Sequence, residues 1–432
     1  MLNQESMDSV ERSTFSRCFI KPLYDSYCFS KIPSTISYLL TGEGKEKALP
    51  ESCFEDSGPY DQVVLIFLDA FGFRFFDKYK DHPFLQRFFK EGIVSKITTQ
   101  FPSTTAAHVT TVHTGLEVGS SGIYEWFQYE PKLDRMIAPL LFSYAGDPVA
   151  QSLLASIETP STIFPFHTLY QKLHERNISS YIFQDVGISG SPYSQTVSQG
   201  AHSIGYLNLK QGLVGLQELL MGKGAEKTYA FFYYANIDSV GHREGVLTKP
   251  FEKTVRHCLD CLEKELSLFL NSSTKKTALL VTADHGMVEI SPKNTIYLNK
   301  EIPEIVDWLQ VNLEGQILVP AGSCRDFFLH VKKECLEKAY RVLSIFLEGK
   351  AEVWKVEELI SQGFFGEASV SQRFLERVGN LVILPYEGQA VWWFEKHKFQ
   401  QNFYAAHGGL TKGEAETIFL FCKSSHLSST PP

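Results

Sequence analysis

The chain has 432 residues, of which 44% are hydrophobic and 21% charged, with a net charge of −8. This length allows two to three domains at about 150 residues each, with a sizeable core, and the composition excludes extended disorder and collagen-like or low-complexity classes. A mildly acidic chain without a Lys/Arg block argues against dedicated nucleic-acid binding. Phosphate substrates stay open, because bound cations can supply the local positive charge.

No run approaches the ~18 apolar residues of a membrane span. The opening MLNQESMDSVERSTF lacks the basic and apolar regions of a secretory signal, so a cytoplasmic location is expected. The eight cysteines are scattered, which fits free thiols in a reducing compartment. Cys258 and Cys261 form a CxxC, but it sits in the helical pattern HCLDCLEKEL and the other half of a four-Cys zinc site is missing.

In chain order, residues 1–59 are weakly patterned, end in the turn-rich ESCFEDSGPY, and read as an extension wrapping the outside of the main domain. A regular alternation begins at residue 60. The apolar run 63–68 suits a strand covered on both faces. HPFLQRFFKEG follows as a helix, with Gly92 as its C-terminal stop. A helix at 167–176, strands at 180–183 and 229–237, a long helix at 250–270 and a strand at 278–282 continue the pattern. Strands alternating with helices predict an α/β fold with a mostly parallel sheet and helices on both faces. Between 291 and 400 the texture changes to short mixed segments such as DFFLHV, AEVWKV and NLVILPY, read as a smaller α+β insertion. AAHGGLTKGEAETIFLF then returns the chain to the main domain, and 425–432 reads as a tail.

Four segments at strand ends or helix starts carry candidate chemistry, where open α/β sheets bind ligands. In IFLDAFGF, Asp69 closes an apolar strand and must meet a loop, a helix cap or a cation. In FPSTTAAHVTTVHTG, the hydroxyls of Ser103, Thr104 and Thr105 open a small-residue helix, as caps or as a nucleophile in a phosphate-attracting site. His108 and His113, farther along, read as structural. In ANIDSVGHREG, one turn brings Asp238 and His242 to the same side. In VTADHGM, Asp284 and His285 follow a strand, and Gly286 permits close backbone approach. Far downstream, HGGL supplies His407. Together these residues are enough for two three-ligand divalent sites beside one hydroxyl.

The segments VVLIFLDAFGF, FPSTTAAHVTTVHTG, NIDSVGH, TADHGM and HGGL stand in the order of the alkaline phosphatase superfamily. The chain resembles its type I phosphodiesterase/nucleotide pyrophosphatase branch over residues 60–290 and 401–424. The resemblance implies an alkaline-phosphatase-like three-layer sandwich with a smaller cap. On that pattern, 60–290 plus 401–424 form the metallo-phosphodiesterase core, and 291–400 shape its site. The resemblance further implies one metal held by Asp238, His242 and His407, and another by Asp69, Asp284 and His285. Thr105 matches the family nucleophile, with Thr104 its neighbouring alternative. The implied reaction cleaves a phosphodiester or pyrophosphate of a small phosphorylated substrate through a covalent phospho-threonine. The imidazole-rich set leans to zinc, with manganese the other ion left open. A phosphomonoesterase of the same superfamily and a non-catalytic metal-binding homologue are the alternatives. A sulfatase lacks its formylglycine context here, and a mutase would usually carry Ser as nucleophile.

Three positions depart from the family pattern. Ala106 replaces the aromatic residue that follows the nucleophile in nucleotide pyrophosphatases. In SSGIYEW, Ser121 stands for a His, and Trp126 for an Asn that contacts phosphate oxygen. Arg325 is expected to pair with a carboxylate, and Trp126, Trp392 and Trp393 are weighed between core packing and stacking on a leaving group.

Overall fold

The apolar runs become one seven-stranded sheet in the computed structural model, which describes residues 1–424 apart from positions 57, 223, 225, 273 and 274. The expected tail at 425–432 lies outside the described residues. In chain order the strands are β1 Gln62–Leu68, β2 Gly92–Thr98, β3 Ile178–Asp185, β4 His202–Tyr206, β5 Lys227–Tyr234, β6 Thr277–Thr282 and β7 Glu416–Lys423. Their order across the sheet is β2–β7–β6–β1–β5–β3–β4. Every pair is parallel except those of β7, which lies antiparallel between β2 and β6.

The strands are continuously apolar because both faces are covered. Val63, Leu65 and Phe67 of β1 face one layer, where they join helix α1 (Ile32–Thr41) and helix α2 (Thr105–Thr114). Val64, Ile66 and Leu68 face the other, against the helices Pro83–Glu91 and Leu209–Met221. Helices α3 (Asn236–Glu244) and α4 (Lys249–Ser272) complete that second layer. This is the three-layer α/β sandwich that the alternation predicts.

Two local readings change. Residues 1–59 are weakly patterned, yet Phe29, Ile32, Ile36 and Leu40 are fully buried, so part of this segment builds a layer of the core rather than wrapping it. Its apolar positions are too few and too interrupted to show a clear period. Gly92 ends the helix Pro83–Glu91 with extended backbone, not a left-handed turn. Its glycine answers to crowding, since a Cβ there would stand 2.0 Å from Phe421 O of β7.

The smaller α+β insertion holds a four-stranded antiparallel sheet, in the order Ala321–Ser323, Asp326–Leu329, Leu381–Pro385, Ala351–Lys355. Leu381 and Ile383 face its own helix Leu336–Phe346. Val382 and Leu384 face Phe19, Phe101 and Tyr124, so the sheet's second face packs on the main body. Arg325 confirms its expected pairing there. Its guanidinium grips Glu414 at 2.9 and 2.8 Å, and both side chains are fully buried. A second buried pair, Arg377 with Glu130, ties helix Gln372–Arg377 to the main body. All eight cysteines are free, and Cys258 and Cys261 lie within α4. Among the described residues no helix is long and apolar enough to cross a membrane.

Candidate metal centre

Five neighbouring strands deliver the predicted residues to one edge of the sheet. Asp69 follows β1, Thr105 opens α2 beyond β2, Asp238 and His242 lie on α3 after β5, Asp284 and His285 follow β6, and His407 precedes the antiparallel β7. Tight backbone contact makes this convergence possible. A Cβ on Gly72 would lie 2.6 Å from Gly286 Cα, and one on Gly286 would lie 2.2 Å from Gly413 O. Gly286 thus serves the close approach expected of it.

The donor atoms of Asp69, Asp284 and His285 lie within 4.8 Å of one another, as do those of Asp238, His285 and His407. His285 therefore stands between the two groups. His242 joins the second through Asp238, whose Oδ1 is 3.3 Å from His242 Nε2 and 3.6 Å from His407 Nε2. The rings of His285 and His407 stack at 3.6 Å.

Each imidazole is turned the same way. His242 Nδ1 meets Ala405 O at 2.8 Å, His285 Nδ1 meets Gly286 O at 3.0 Å, and His407 Nδ1 meets Ser103 O at 3.1 Å. A carbonyl can only accept, so Nδ1 carries the proton and Nε2 presents a lone pair to the centre. The carboxylates present lone pairs as well. Asp284 Oδ2 is 3.2 Å from His285 Nε2, yet it and Asp238 Oδ1 have no hydrogen-bond donor. Lone pairs facing one another across about 3 Å call for a cation between them. The residues fit divalent ions on this ground.

Burial shapes the electrostatics. It pushes His285 down to about 4 and His407 down to about 3, keeping both neutral. Burial, followed by the charges of Asp284 and Asp238, raises Asp69 well above the ordinary carboxylate range. Burial also raises Asp284, partly offset by His108 and the Ala70 N–H. For Asp238, burial is the largest influence and pulls upward, but His242, followed by His407 and His285, together hold the carboxyl below that range.

Thr105 is the first residue of α2, and its Oγ1 lies 3.1 Å from His285 Nε2 and 3.4 Å from Asp69 Oδ1. The neighbouring hydroxyls are elsewhere. Ser103 Oγ donates to Gly409 O at 2.6 Å, and the buried Thr104 makes no cap hydrogen bond to the helix. His108 is committed, accepting from the Gln100 N–H at 2.9 Å and meeting Thr104 O at 2.7 Å. His113 is held by the Tyr170 hydroxyl at 2.7 Å.

Two cavities open from this point. One of about 340 Å³ lies on the His242 and His407 side, walled by Trp126, Phe127, Trp392 and Phe403. The other, of about 530 Å³, runs past Val109, Leu140 and Tyr193. Thr105, Trp126 and Asp238 border both. A larger cavity of about 850 Å³, where Trp393 lies, touches none of the six donors.

Sequence reading missed several supports. The Tyr233 hydroxyl donates to Asp69 Oδ2 from the end of strand β5, the Ala70 N–H donates to Asp284 Oδ1 at 3.0 Å, and Phe403 packs on His242 at 4.5 Å. The apolar and aromatic run marked β5 as a strand but gave no sign that the Tyr233 hydroxyl ends at Asp69.

A mostly parallel three-layer sheet with an inserted cap and a mixed Asp/His cluster on one strand-end edge is an alkaline-phosphatase-type fold. The model of the type I phosphodiesterase/nucleotide pyrophosphatase family matches residues 63–410, and the chain belongs to that family, whose members are metal-dependent phosphoric ester hydrolases. Its fold is shared by murine ectonucleotide pyrophosphatase/phosphodiesterase 5 (TM-score 0.61, 18% identity, 83% of this chain and 87% of that one). An inactive threonine-to-alanine variant of the murine protein in complex with AMP matches at a TM-score of 0.60 and 19% identity, with the same coverage of 83% and 87%. Phosphonoacetate hydrolase from Sinorhizobium meliloti 1021, in complex with phosphonoformate, is similar at a TM-score of 0.59 and 16% identity, over 88% of this chain and 94% of that one. A stretch of 100 residues is 41% identical to a 2,3-bisphosphoglycerate-independent phosphoglycerate mutase of Wolbachia pipientis wMel; the match spans 21% of this chain and only 19% of that curated relative.

Proposed function

We propose that this chain hydrolyses phosphodiester or pyrophosphate bonds of small phosphorylated substrates, with Thr105 as nucleophile and a covalent phospho-threonine intermediate. Asp238, His242 and His407 would hold one divalent ion and Asp69, Asp284 and His285 the other, zinc being favoured over manganese by the three imidazoles. Such ions, when bound, favour ionisation of a hydroxyl and neutralise phosphoryl charge.

The observation that carries the reading is the position of Thr105, whose hydroxyl lies beside His285 and Asp69 at the mouth of two cavities. The chain's own residues do the positioning. The N-terminus of α2 aims backbone N–H groups toward an anion in front of Thr105. Backbone carbonyls fix the three rings, and Tyr233 and Ala70 fix the carboxylates. Two cavities meet at Thr105, Trp126 and Asp238, which suits a phosphorus atom carrying a substituent on either side, and thus a diester over a monoester. The inactivity of the murine threonine variant supports threonine as the attacking group. Residues 60–290 with 401–424 would form the catalytic core, 1–59 an extension of it, and 291–400 the cap that selects the substrate.

The test is a paired assay of metal-loaded protein on bis-p-nitrophenyl phosphate, p-nitrophenyl phosphate and the p-nitrophenyl ester of TMP, with chelator controls. Faster metal-dependent turnover of the diesters is expected. Preference for the monoester would move the assignment to phosphomonoesterase, and two bound ions with no turnover of any ester would favour a non-catalytic homologue or a narrower substrate.

A further inference from the structure

The 530 Å³ cavity differs in kind from its 340 Å³ neighbour. On α2, Val109 and His113 follow Thr105 at four-residue steps, so one face of the helix leads from the hydroxyl into this cavity. Phe231 of β5 continues the wall with Leu140, Pro148, Ala150 and Ile188. Leu141 and Ile188 line the cavity and are exposed, as is Val149 between Pro148 and Ala150. The apolar surface therefore runs from beside Thr105 out to solvent.

The polar groups on this wall are mostly spent on the protein itself. His113 is held by the Tyr170 hydroxyl, Tyr193 by Thr110 Oγ1 at 2.9 Å, and Tyr233 by Asp69. Ser143 Oγ donates to Leu141 O at 3.2 Å, and Ser191 Oγ to Ser194 Oγ at 3.0 Å. The amides of Gln151 and Gln184 also line the cavity, enough for an isolated ester oxygen but not for the several polar groups of a nucleoside. Among the described residues that line it there is no Lys or Arg. Burial keeps His113 neutral, and Asp147, the one carboxylate there outside the six donors, would repel a second phosphate. The 340 Å³ cavity, by contrast, is bordered by Lys398 and by the rings of Trp126, Trp392 and Phe403, which suits a charged or aromatic substituent.

We infer that the 530 Å³ cavity binds an unbranched alkyl or acyl chain, so that the preferred substrate is an amphiphile, a phosphodiester with an apolar chain on one oxygen and a polar or aromatic group on the other. The inference rests on the reading of Thr105 as the nucleophile where the two cavities meet. A nucleoside would leave water for walls that offer it few partners, whereas a chain gains by leaving water. Each methylene buried is worth about a fourfold gain in affinity. Ala106, the next residue of α2, is fully buried and offers no ring to a nucleobase.

The test compares methyl, butyl and hexyl p-nitrophenyl phosphate with the p-nitrophenyl ester of TMP, all monomeric in solution, on metal-loaded protein. From methyl to hexyl, kcat/KM is expected to rise by about 10²-fold or more, mostly through KM, because a chain is held equally in ground and transition states. The hexyl ester is expected to outrun the nucleotide ester. A flat series, or faster turnover of the nucleotide ester, would overturn the inference. Leu141→Asp puts a charge on the apolar wall at a half-exposed position and is expected to lower the hexyl-to-methyl ratio by about tenfold. That ratio is internal to each protein, so a general loss of folded enzyme does not move it. An unchanged ratio would place the chain elsewhere and also overturn the inference. A second readout needs no turnover. Metal-loaded Thr105→Ala, titrated in a calorimeter, is expected to bind hexylphosphonate about 10²-fold more tightly than methylphosphonate, with a more negative heat-capacity change. Equal affinities would overturn the inference. Silence of wild type on every ester, with this chain-length dependence of binding in place, would count against the nucleophile reading and support the apolar site.

Discussion

Arg325 and Glu414, at the junction of insertion and main body, are fully buried and fully matched. Both guanidinium nitrogens that face the carboxylate are paired, a third nitrogen reaches Tyr386 O at 2.8 Å, and Glu414 also accepts from the Gly409 N–H at 3.1 Å. Asp284, a few residues from this junction in space and equally buried, keeps an oxygen with no donor beside an imidazole lone pair. The chain can satisfy buried charge, and at the strand ends it does not. The unmatched lone pairs there are best understood as a place kept for something the chain does not itself contain.

The comparison predicts opposite responses to substitution. Thr105→Ala should remove the attacking group at the unmatched end while leaving fold and metal content intact. Turnover should fall by ~10³-fold or more, a loss of at least about 4 kcal/mol of transition-state stabilisation. Activity within a few-fold of wild type, with full metal content, would sink the assignment. At the matched end the effect should fall on stability. Arg325→Met leaves Glu414 buried and alone, and denaturant unfolding should show a loss of about 3–5 kcal/mol. A loss below ~1 kcal/mol would mean that Glu414 finds solvent or another partner.

Acid should reach groups outside both regions next. Burial lowers His113 from 6.5 to about 3 and His330 from 6.5 to about 4. The unfolded chain binds these protons first, so stability is complete above pH 6.5 and declines as pH falls toward the folded values. At pH 5 each should cost about 2 kcal/mol. Replacing His330 with Leu should flatten that slope in unfolding curves measured between pH 7 and 5, and an unchanged slope would show that the ring is protonated in the fold.

The smallest effect carries the most distinctive sign. Asp284→Asn places an N–H where an unmatched oxygen faces His285, so metal-free protein should become more stable by about 1 kcal/mol. The same change should lower metal content after dialysis. Destabilisation of the metal-free protein, or two full equivalents of metal retained, would contradict the reading of this oxygen as a ligand.

How much of this was readable in advance depends on range. The apolar runs of β1, β5 and β6 fixed their own identity, because burial on two faces leaves an unbroken hydrophobic signature. The six candidate donors could be singled out because each sits just past such a run or in a short motif of characteristic spacing. What local sequence could not disclose were partners distant along the chain. Nothing in SSGIYEW marks Glu125 as a wall of the cavity that His242 and His407 line, and nothing around Tyr233 marks its hydroxyl as the support of Asp69. The core role of α1 was equally hidden, since its apolar residues acquire a face only when β1 lies beneath them. Gly92 looked like a helix stop and is one, yet crowding against β7 is what requires glycine there.

The place of β7 has a consequence for synthesis. It is the last described strand in the chain, yet it fills an interior slot between β2 and β6. A ribosome releases residues in order, at about 5–20 per second. Until residues 416–423 emerge, β2 has no neighbour in the sheet and β6 ends in an open edge. His407 arrives just ahead of that strand. While residues 286–406 are being added, a nascent chain therefore carries five of the six candidate donors without the arrangement that aligns them, and the sheet and the candidate metal centre become complete only when 416–423 have emerged.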